Sequence, residues 1–151
     1  MADIVDKATR SRMMRGIRAR DTKPEMQIRC MLHAKGFRYR LHDRQLPGTP
    51  DIVLPKYRAV IFVSGCFWHG HDCRLFRLPR TRRKFWSEKI ARNRSNDATA
   101  RERLSAAEWR HATVWECALR SRDPVAIAEL NRRLVDWIQS DDLASSFRGN
   151  A

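Results

Sequence analysis

The chain has 151 residues and a mass of 17.8 kDa, enough for one domain with a substantial buried core. Hydrophobic residues make up 42% and charged residues 32%, which excludes a generically disordered chain. No apolar run reaches the ~18 residues of a membrane span, and residues 1–15 are polar and basic, unlike a secretory signal.

The net charge is +14, and its placement along the chain is uneven. Residues 101–151 carry eight basic and eight acidic groups, so the whole excess lies in residues 1–100. Such a field favours a polyanionic partner, nucleic acid above all. An anionic membrane surface is the alternative, but no long basic amphipathic helix supports it. We expect a cytoplasmic, nucleoid-associated protein.

In chain order, residues 1–20 are charge-rich with few apolar anchors and predict a DNA-contacting arm or a short helix, with Met13 and Met14 as its paired apolar feature. Thr22 and Glu25 have the spacing of a capping box and predict a helix to about residue 35, where Gly36 ends it. Apolar and polar residues alternate over 37–42, which predicts a half-buried strand. Residues 51–54 and 58–63 predict the two strands of a hairpin.

The second half of the chain predicts a helix over about 85–107, a buried strand over 112–117 and a closing helix over about 124–140. This order favours an α/β domain with a mixed sheet between helices. We expect a single domain over residues 21–140, followed by a tail over 141–151.

Residues 66–73 pack two Cys and two His into eight positions. Because disulfides are improbable in a cytosolic chain, thiolate and imidazole ligands in one tight loop favour tetrahedral zinc. Loop geometry favours Cys66, His71 and Cys73 over His69, with Cys117 as the fourth ligand. The alternative is a set of packed Cys and surface His residues.

Aromatic and basic residues are interleaved around this loop. Phe67 and Trp68 lie inside it, and Phe85 and Trp86 follow the start of a run, 74–94, in which nine of 21 residues are basic. Core packing is the usual explanation for such rings. Rings that enter a base stack instead do so most cheaply at a weakened step such as a mismatch, while nearby guanidinium groups neutralise phosphates.

Pro50 and Asp51 stand at the start of a strand, and a second apolar strand follows about ten residues later. This arrangement resembles the layout of PD-(D/E)XK nucleases. In that layout, carboxylates on adjacent strands hold Mg²⁺ against the scissile phosphate. The second carboxylate and the Lys are absent here, since the second strand ends Phe62-Val63-Ser64.

Motifs over about residues 6–138 resemble the very short patch repair (Vsr) endonucleases, the most specific being the Gly-Cys-Phe-Trp-His block at 65–69. The other matching segments are 6–11, Met14, 20–22, Glu25, 46–51, 60–63, 70–73, 85–90 and 114–117. The resemblance implies a restriction-endonuclease-like fold and an enzyme that nicks DNA 5′ of the thymine in a T:G mismatch. It implies duplex DNA as partner, with mismatch-repair proteins and a repair polymerase acting beside it. An asymmetric lesion suits a monomer.

The resemblance also implies a role for each matching residue. Asp51 would hold the catalytic Mg²⁺ with the Val63 carbonyl, Glu25 would hold a water molecule of its shell, and His69 would orient or deprotonate the attacking water, supported by Asp97. The matching structural zinc ligands are Cys66, His71, Cys73 and Cys117. The matching DNA contacts are Phe67, Trp68 and Trp86 in the major groove and Met14 in the minor groove, and we expect Arg82 and Arg83 to contact phosphates.

One residue departs from the family pattern. Ser64 stands where the family usually has His, and a hydroxyl cannot supply the positive charge of an imidazolium. We predict a slower nuclease, or one whose missing charge comes from a neighbouring Arg or Lys. The alternatives are a zinc-stabilised mismatch- or DNA-binding protein with weak or no cleavage, and a less selective nuclease that cuts intact duplex.

Overall fold

A five-stranded mixed sheet with the order β1-β2-β3-β4-β5 is the framework of the protein, seen in a computed structural model that describes residues 22–149. The strands are β1 (Arg40–Leu41), β2 (Ile52–Leu54), β3 (Ala59–Ser64), β4 (Arg110–Trp115) and β5 (Ala144–Phe147). The first three pair antiparallel, whereas β3, β4 and β5 run parallel. The predicted α/β class with a mixed sheet between helices is confirmed.

Within residues 22–149, four helices surround the sheet: α1 (Lys23–Ala34), α2 (Arg83–Ala106), α3 (Glu116–Leu119) and α4 (Pro124–Ile138). A 3-10 turn over Pro55–Tyr57 joins β2 to β3. Among residues 22–149, no helix is long and apolar enough to cross a lipid bilayer.

Different helices cover the two faces of the sheet. One face carries Ile52 and Ile61 into the larger core, where residues of α1, α3 and α4 cover them. The other face carries Val53 and Val60, which pack with Leu104 of α2. Because successive strand residues point to opposite faces, the nearly continuous apolar pattern of β2 and β3 follows from this double cover.

The start of α1 confirms the predicted cap. Thr22 Oγ1 accepts a hydrogen bond from the Glu25 backbone N–H at 3.4 Å, with Pro in the first turn. Gly36, with φ +85°, follows the helix in the left-handed region that favours glycine. The cap fixes where α1 begins and therefore where Glu25, in its first turn, lies.

Three boundaries differ from the sequence predictions. The half-buried strand expected over 37–42 reduces to β1, and the strand expected to reach Cys117 ends at Trp115, so Cys117 lies on α3. The sequence predicts a tail over residues 141–151, whereas residues 144–147 form β5 and pair with β4. This strand is short and polar at the sheet edge, so it lacks the alternation from which a strand is predicted. The expected arm, residues 1–20 with Met14, lies outside the described residues.

Candidate active site and metal centre

Asp51 lies directly before β2, opposite the end of β3. Its Oδ2 accepts a hydrogen bond from the Val63 backbone N–H at 2.7 Å. Because β2 and β3 are antiparallel neighbours, the residue that precedes β2 meets the residues near the end of β3. The sheet therefore brings Asp51, Val63 and Ser64 to one place, as the sequence predicts.

Glu25 reaches the same place from α1 and is only 2% exposed. His42 Nε2 lies 2.7 Å from Glu25 Oε1, and Arg29 Nη1 lies 3.6 Å from Glu25 Oε2. One ligand atom from each of Glu25, His42 and Asp51 lies within 4.8 Å of the others, close enough to share a cation. No signal in the sequence marks His42, which follows β1 in a loop.

Electrostatics at this cluster favour a bound cation. Burial, reinforced by the neighbouring Glu25 carboxylate, raises the pKa of Asp51 from 3.8 to about 7, although the Val63 N–H opposes the shift. Two carboxylates brought together in a partly dry site repel each other until a positive charge joins them. Carboxylate and main-chain carbonyl oxygens are the ligands that Mg²⁺ prefers, so these residues fit such an ion.

A second pair of titratable groups lines the same cleft as Asp51. His69 Nδ1 lies 2.5 Å from Asp97 Oδ2, a contact that joins the loop after β3 to α2. An ionised carboxylate can only accept, so Nδ1 carries the proton and Nε2 of a neutral ring keeps its lone pair. The side chains are 29% and 30% exposed, so this pair is open to solvent. The structure thus brings His69 and Asp97 together, as the family resemblance implies.

A cleft of about 460 Å³ contains these groups. Its lining includes Asp51, Val63, Ser64, His69 and Asp97, five of the six residues expected to take part in catalysis. Glu25 lies behind Asp51, in the interior. The remaining lining residues are His42, Arg44, Gly48, Thr49, Phe62, Asn96, Ala100, Arg101, Thr113 and Trp115.

The four expected zinc ligands meet beside this cleft. Ligand atoms of Cys66, His71, Cys73 and Cys117 lie within 4.8 Å of one another. His71 Nδ1 lies 3.6 Å from both Cys66 Sγ and Cys117 Sγ. Tetrahedral zinc bonds of about 2.3 Å to sulfur and 2.0 Å to nitrogen place those atoms about 3.6 Å apart. The cluster therefore fits a zinc ion with no position left open for substrate.

The surroundings of this cluster suit charged sulfur. The Cys117 N–H donates to Cys66 Sγ and the Gly149 N–H donates to Cys117 Sγ, both at 3.3 Å. Burial raises the pKa of the Cys66 thiol far above its usual value, so a thiolate here requires a cation. Trp115 stacks on the His71 ring with centroids 4.0 Å apart and fixes its orientation.

Arg148 and Gly149 contact the outer side of the metal cluster and of the loop that carries it, residues 66–73. Arg148 donates one hydrogen bond to Asp72 Oδ1 and another to the Asp72 carbonyl, both at 2.8 Å. A Cβ on Gly149 would come within 2.6 Å of the Cys117 carbonyl oxygen, so only glycine fits there. Neither residue was singled out from the sequence, because the strand that delivers them was not predicted.

The aromatic residues form one partly exposed cluster rather than a buried core. Phe67, Trp68 and Trp86 contact one another edge to face, with ring centroids 5.2–5.7 Å apart. Phe85, 41% exposed, packs on Trp86, and Asn93 holds the Trp68 carbonyl at 2.8 Å. The rings therefore pack against one another at the surface and are not buried against the sheet.

Arg82 and Arg83 stand at the amino-terminal end of α2, next to these rings. Both side chains are exposed, and the Arg82 guanidinium lies over the Phe85 ring, 4.1 Å from its centroid. Positive charge and aromatic faces thus share one surface beside the cleft. That combination suits a polyanion whose bases stack.

The mixed sheet brings a carboxylate cluster and a His–Asp pair to one cleft, and cations and exposed rings lie beside it. This combination of groups is that of a DNA-cleaving hydrolase. The family model described as "DNA mismatch endonuclease Vsr" matches residues 2–75. The chain belongs to the Vsr family of DNA mismatch endonucleases, as its likeness to whole members demonstrates.

Three relatives illustrate that likeness. The DNA mismatch endonuclease Vsr of Escherichia coli K12 is 49% identical over 138 residues, which cover 91% of this chain and 88% of that protein. The type II nicking enzyme V.XorIIP of Xanthomonas oryzae is 48% identical over 79% of this chain and 88% of its own length. The type II nicking enzyme V.NmeAIP of Neisseria meningitidis is 40% identical over 87% and 94%, respectively.

Proposed function

We propose that the protein nicks one strand of duplex DNA on the 5′ side of the thymine in a T:G mismatch, in a reaction that requires Mg²⁺. The carrying observation is that the Asp51 carboxylate and the His69–Asp97 pair line one cleft. The names of the relatives, mismatch endonuclease and nicking enzymes, support the same chemistry.

Asp51 and the main-chain carbonyl of Val63 would hold the ion, and Glu25 would stabilise the site from behind. When bound, Mg²⁺ would neutralise negative charge on the scissile phosphate and lower the pKa of the attacking water. The Val63 N–H fixes one oxygen of Asp51. The carboxylate therefore enters the reaction already oriented and loses little conformational entropy on binding.

His69 would take the proton of the attacking water. Asp97 holds Nδ1, which leaves Nε2 to accept a proton and stabilises the imidazolium that results. The zinc cluster is structural in this proposal, because four protein ligands leave no open position. It anchors the loop that carries His69, Phe67 and Trp68.

Recognition of the mismatch would come from the aromatic cluster. Inserting rings into a base stack costs a few kcal/mol per step, and a mispaired step lowers that cost. Met14 would act from the minor groove. A monomer suits such an asymmetric lesion, and a repair polymerase and mismatch-repair proteins would act beside it.

The test is a nicking assay with and without Mg²⁺ on T:G and matched duplexes of one sequence. We expect nicks in the T:G duplex only, in the presence of Mg²⁺, and none from Asp51→Ala under the same conditions. Comparable cutting of matched DNA would instead make the protein a less selective nuclease. Cutting by Asp51→Ala at the parent rate would contradict the proposed metal site.

Ser64 favours a second candidate, a mismatch-binding protein with weak or no cleavage. It lines the cleft at the end of β3, where a hydroxyl can donate a hydrogen bond but adds no charge. Ser64→His is expected to raise the nicking rate if charge is limiting. Tight mismatch binding without nicks in the parent protein would favour this second candidate.

A further inference from the structure

The cleft lacks a histidine at position 64, so the negative charge that develops on the leaving oxygen needs another partner. Among the described residues that line the cleft, Arg44 and Arg101 are the arginines, and no lysine is present. A guanidinium stays protonated at any physiological pH and offers five donors to oxygen. One of these two residues is therefore the candidate source of the missing charge.

Arg101 is better placed than Arg44. It is partly buried on α2, one turn after Asp97, on the helix face that looks into the cleft, whereas Arg44 is exposed. Asp97 at i−4 would be a natural ion-pair partner, but its carboxylate is engaged by His69. Within residues 22–149, Arg101 makes no hydrogen bond, ion pair or ring contact. A partly desolvated cation is costly without an anion, so the cleft favours an anionic ligand there.

The neighbouring histidines do not offer this charge. His111 is buried, and burial first, then the charge of Arg101, lowers its pKa and keeps the ring neutral. Its Nε2 contacts Ser105 at 3.2 Å. His42 is held by Glu25 at 2.7 Å. The positive charge on the α2 side of the cleft therefore belongs to Arg101.

We propose that Arg101 is a catalytic residue that stabilises the leaving oxygen of the scissile phosphodiester, in place of the family's histidine at position 64. This inference rests on the proposed nicking function. As the water oxygen bonds to phosphorus, its proton passes to His69 and the bond to the leaving oxygen breaks. Arg101 donates N–H bonds to that oxygen, which takes its proton from solvent, because a guanidinium does not give one up.

The first experiment measures single-turnover nicking and equilibrium binding of a T:G duplex for Arg101→Met, Arg101→Lys and the control Arg103→Met. Arg103 lies on the same helix but is exposed and does not line the cleft. We expect Arg101→Met to lower the nicking rate about 100-fold, the low end of what the loss of one preorganised donor costs. Binding should change less than threefold, Arg101→Lys should recover part of the rate, and Arg103→Met should match the parent.

The second experiment replaces the leaving oxygen of the duplex by sulfur, which departs without help from a donor. The rate difference between parent and Arg101→Met should then shrink to less than threefold, an effect that a structural role would not produce. In the Ser64→His background, Arg101→Met should likewise lower the nicking rate by a smaller factor than it does in the parent protein. If the parent nicks the T:G duplex but Arg101→Met nicks equally well, or loses binding in step with rate, the inference is overturned. If the parent does not nick, the proposed function itself fails.

Discussion

His42 Nε2 lies 2.7 Å from Glu25 Oε1, and this contact joins the loop after β1 to the first turn of α1, just behind Asp51. Groups that hold a ligand's neighbours often matter nearly as much as the ligands themselves. His42→Ala removes one donor from a carboxylate that is 2% exposed. The contact therefore yields a prediction about Mg²⁺ binding.

For His42→Ala, we expect the Mg²⁺ concentration at half-maximal nicking to rise about tenfold and stability to fall by about 1–3 kcal/mol. His42→Gln, which keeps a donor near the Nε2 position, should recover most of both. Mg²⁺ titration of the nicking rate and thermal melts measure the two effects. Equal Mg²⁺ midpoints for all three proteins would contradict a positioning role.

The raised pKa of Asp51, from 3.8 to about 7, predicts how stability depends on pH without divalent cations. Between these values the folded protein holds a proton that the unfolded chain has lost. The free energy of unfolding therefore falls as pH rises from about 4 to 7, by roughly 4 kcal/mol at most. Asp51→Asn should flatten this dependence and raise the Tm at pH 8. A parent protein whose stability rises over this range would contradict the assignment.

The tautomer of His69 predicts a large effect of a small change. In Asp97→Asn, the amide N–H can donate to Nδ1 of His69. This favours the tautomer with its proton on Nε2, which cannot accept a proton from water. We expect the maximal nicking rate to fall about 100-fold with DNA binding nearly unchanged. Glu102→Gln, an exposed residue on the same helix, is the matched control and should leave the rate as it is. A parallel loss of binding would indicate that Asp97 supports the cleft's shape instead.

The metal cluster predicts a loss of stability that depends on zinc. Cys117→Ser should lose stoichiometric zinc by elemental analysis and lower the Tm by about 10 °C or more. Cys30→Ser is the control, because Cys30 is exposed and lies outside the cluster, so its Tm should not change. Purified protein without zinc, or zinc retained by Cys117→Ser, would contradict the assignment of ligands.

The aromatic cluster separates mismatch recognition from general DNA affinity. Trp68→Ala should weaken binding to the T:G duplex by about 1–3 kcal/mol and matched DNA much less, as expected for loss of a stacked ring. Arg83→Ala should weaken both duplexes and reduce the salt dependence of binding. Fluorescence titrations at several salt concentrations measure both. Equal losses on the two duplexes for Trp68→Ala would mean that the ring only stabilises the loop.

The sequence predicts those site residues that lie close together along the chain or at the ends of clear strand patterns. Cys66, His71 and Cys73 lie within eight residues, and Asp51 and Val63 lie at the ends of two strong strand patterns. The three cluster residues of the loop and the hairpin follow from such local signals. Cys117 required only the assumption that the buried strand 112–117 returns beside the hairpin, and β4 does pair with β3.

The residues that were missed depend on distant contacts. His42 contacts Glu25 across 17 positions, and Gly149 contacts Cys117 across 32, so neither leaves a pattern in neighbouring residues. Arg101 looks like any exposed helix cation until α2 is placed against the sheet. The edge strand β5 is held by pairing with β4 rather than by its own propensity, because its Ala-Ser-Ser-Phe sequence is only weakly apolar.

The contacts of Arg148 and Gly149 give the order of synthesis a functional meaning. Arg148 is synthesised 76 residues after Asp72, and Gly149 is synthesised 32 residues after Cys117. A nascent chain therefore cannot form these contacts until residues 148 and 149 have left the ribosome. A chain cut before residue 148 would lack both contacts around the loop that carries His69 and the aromatic rings.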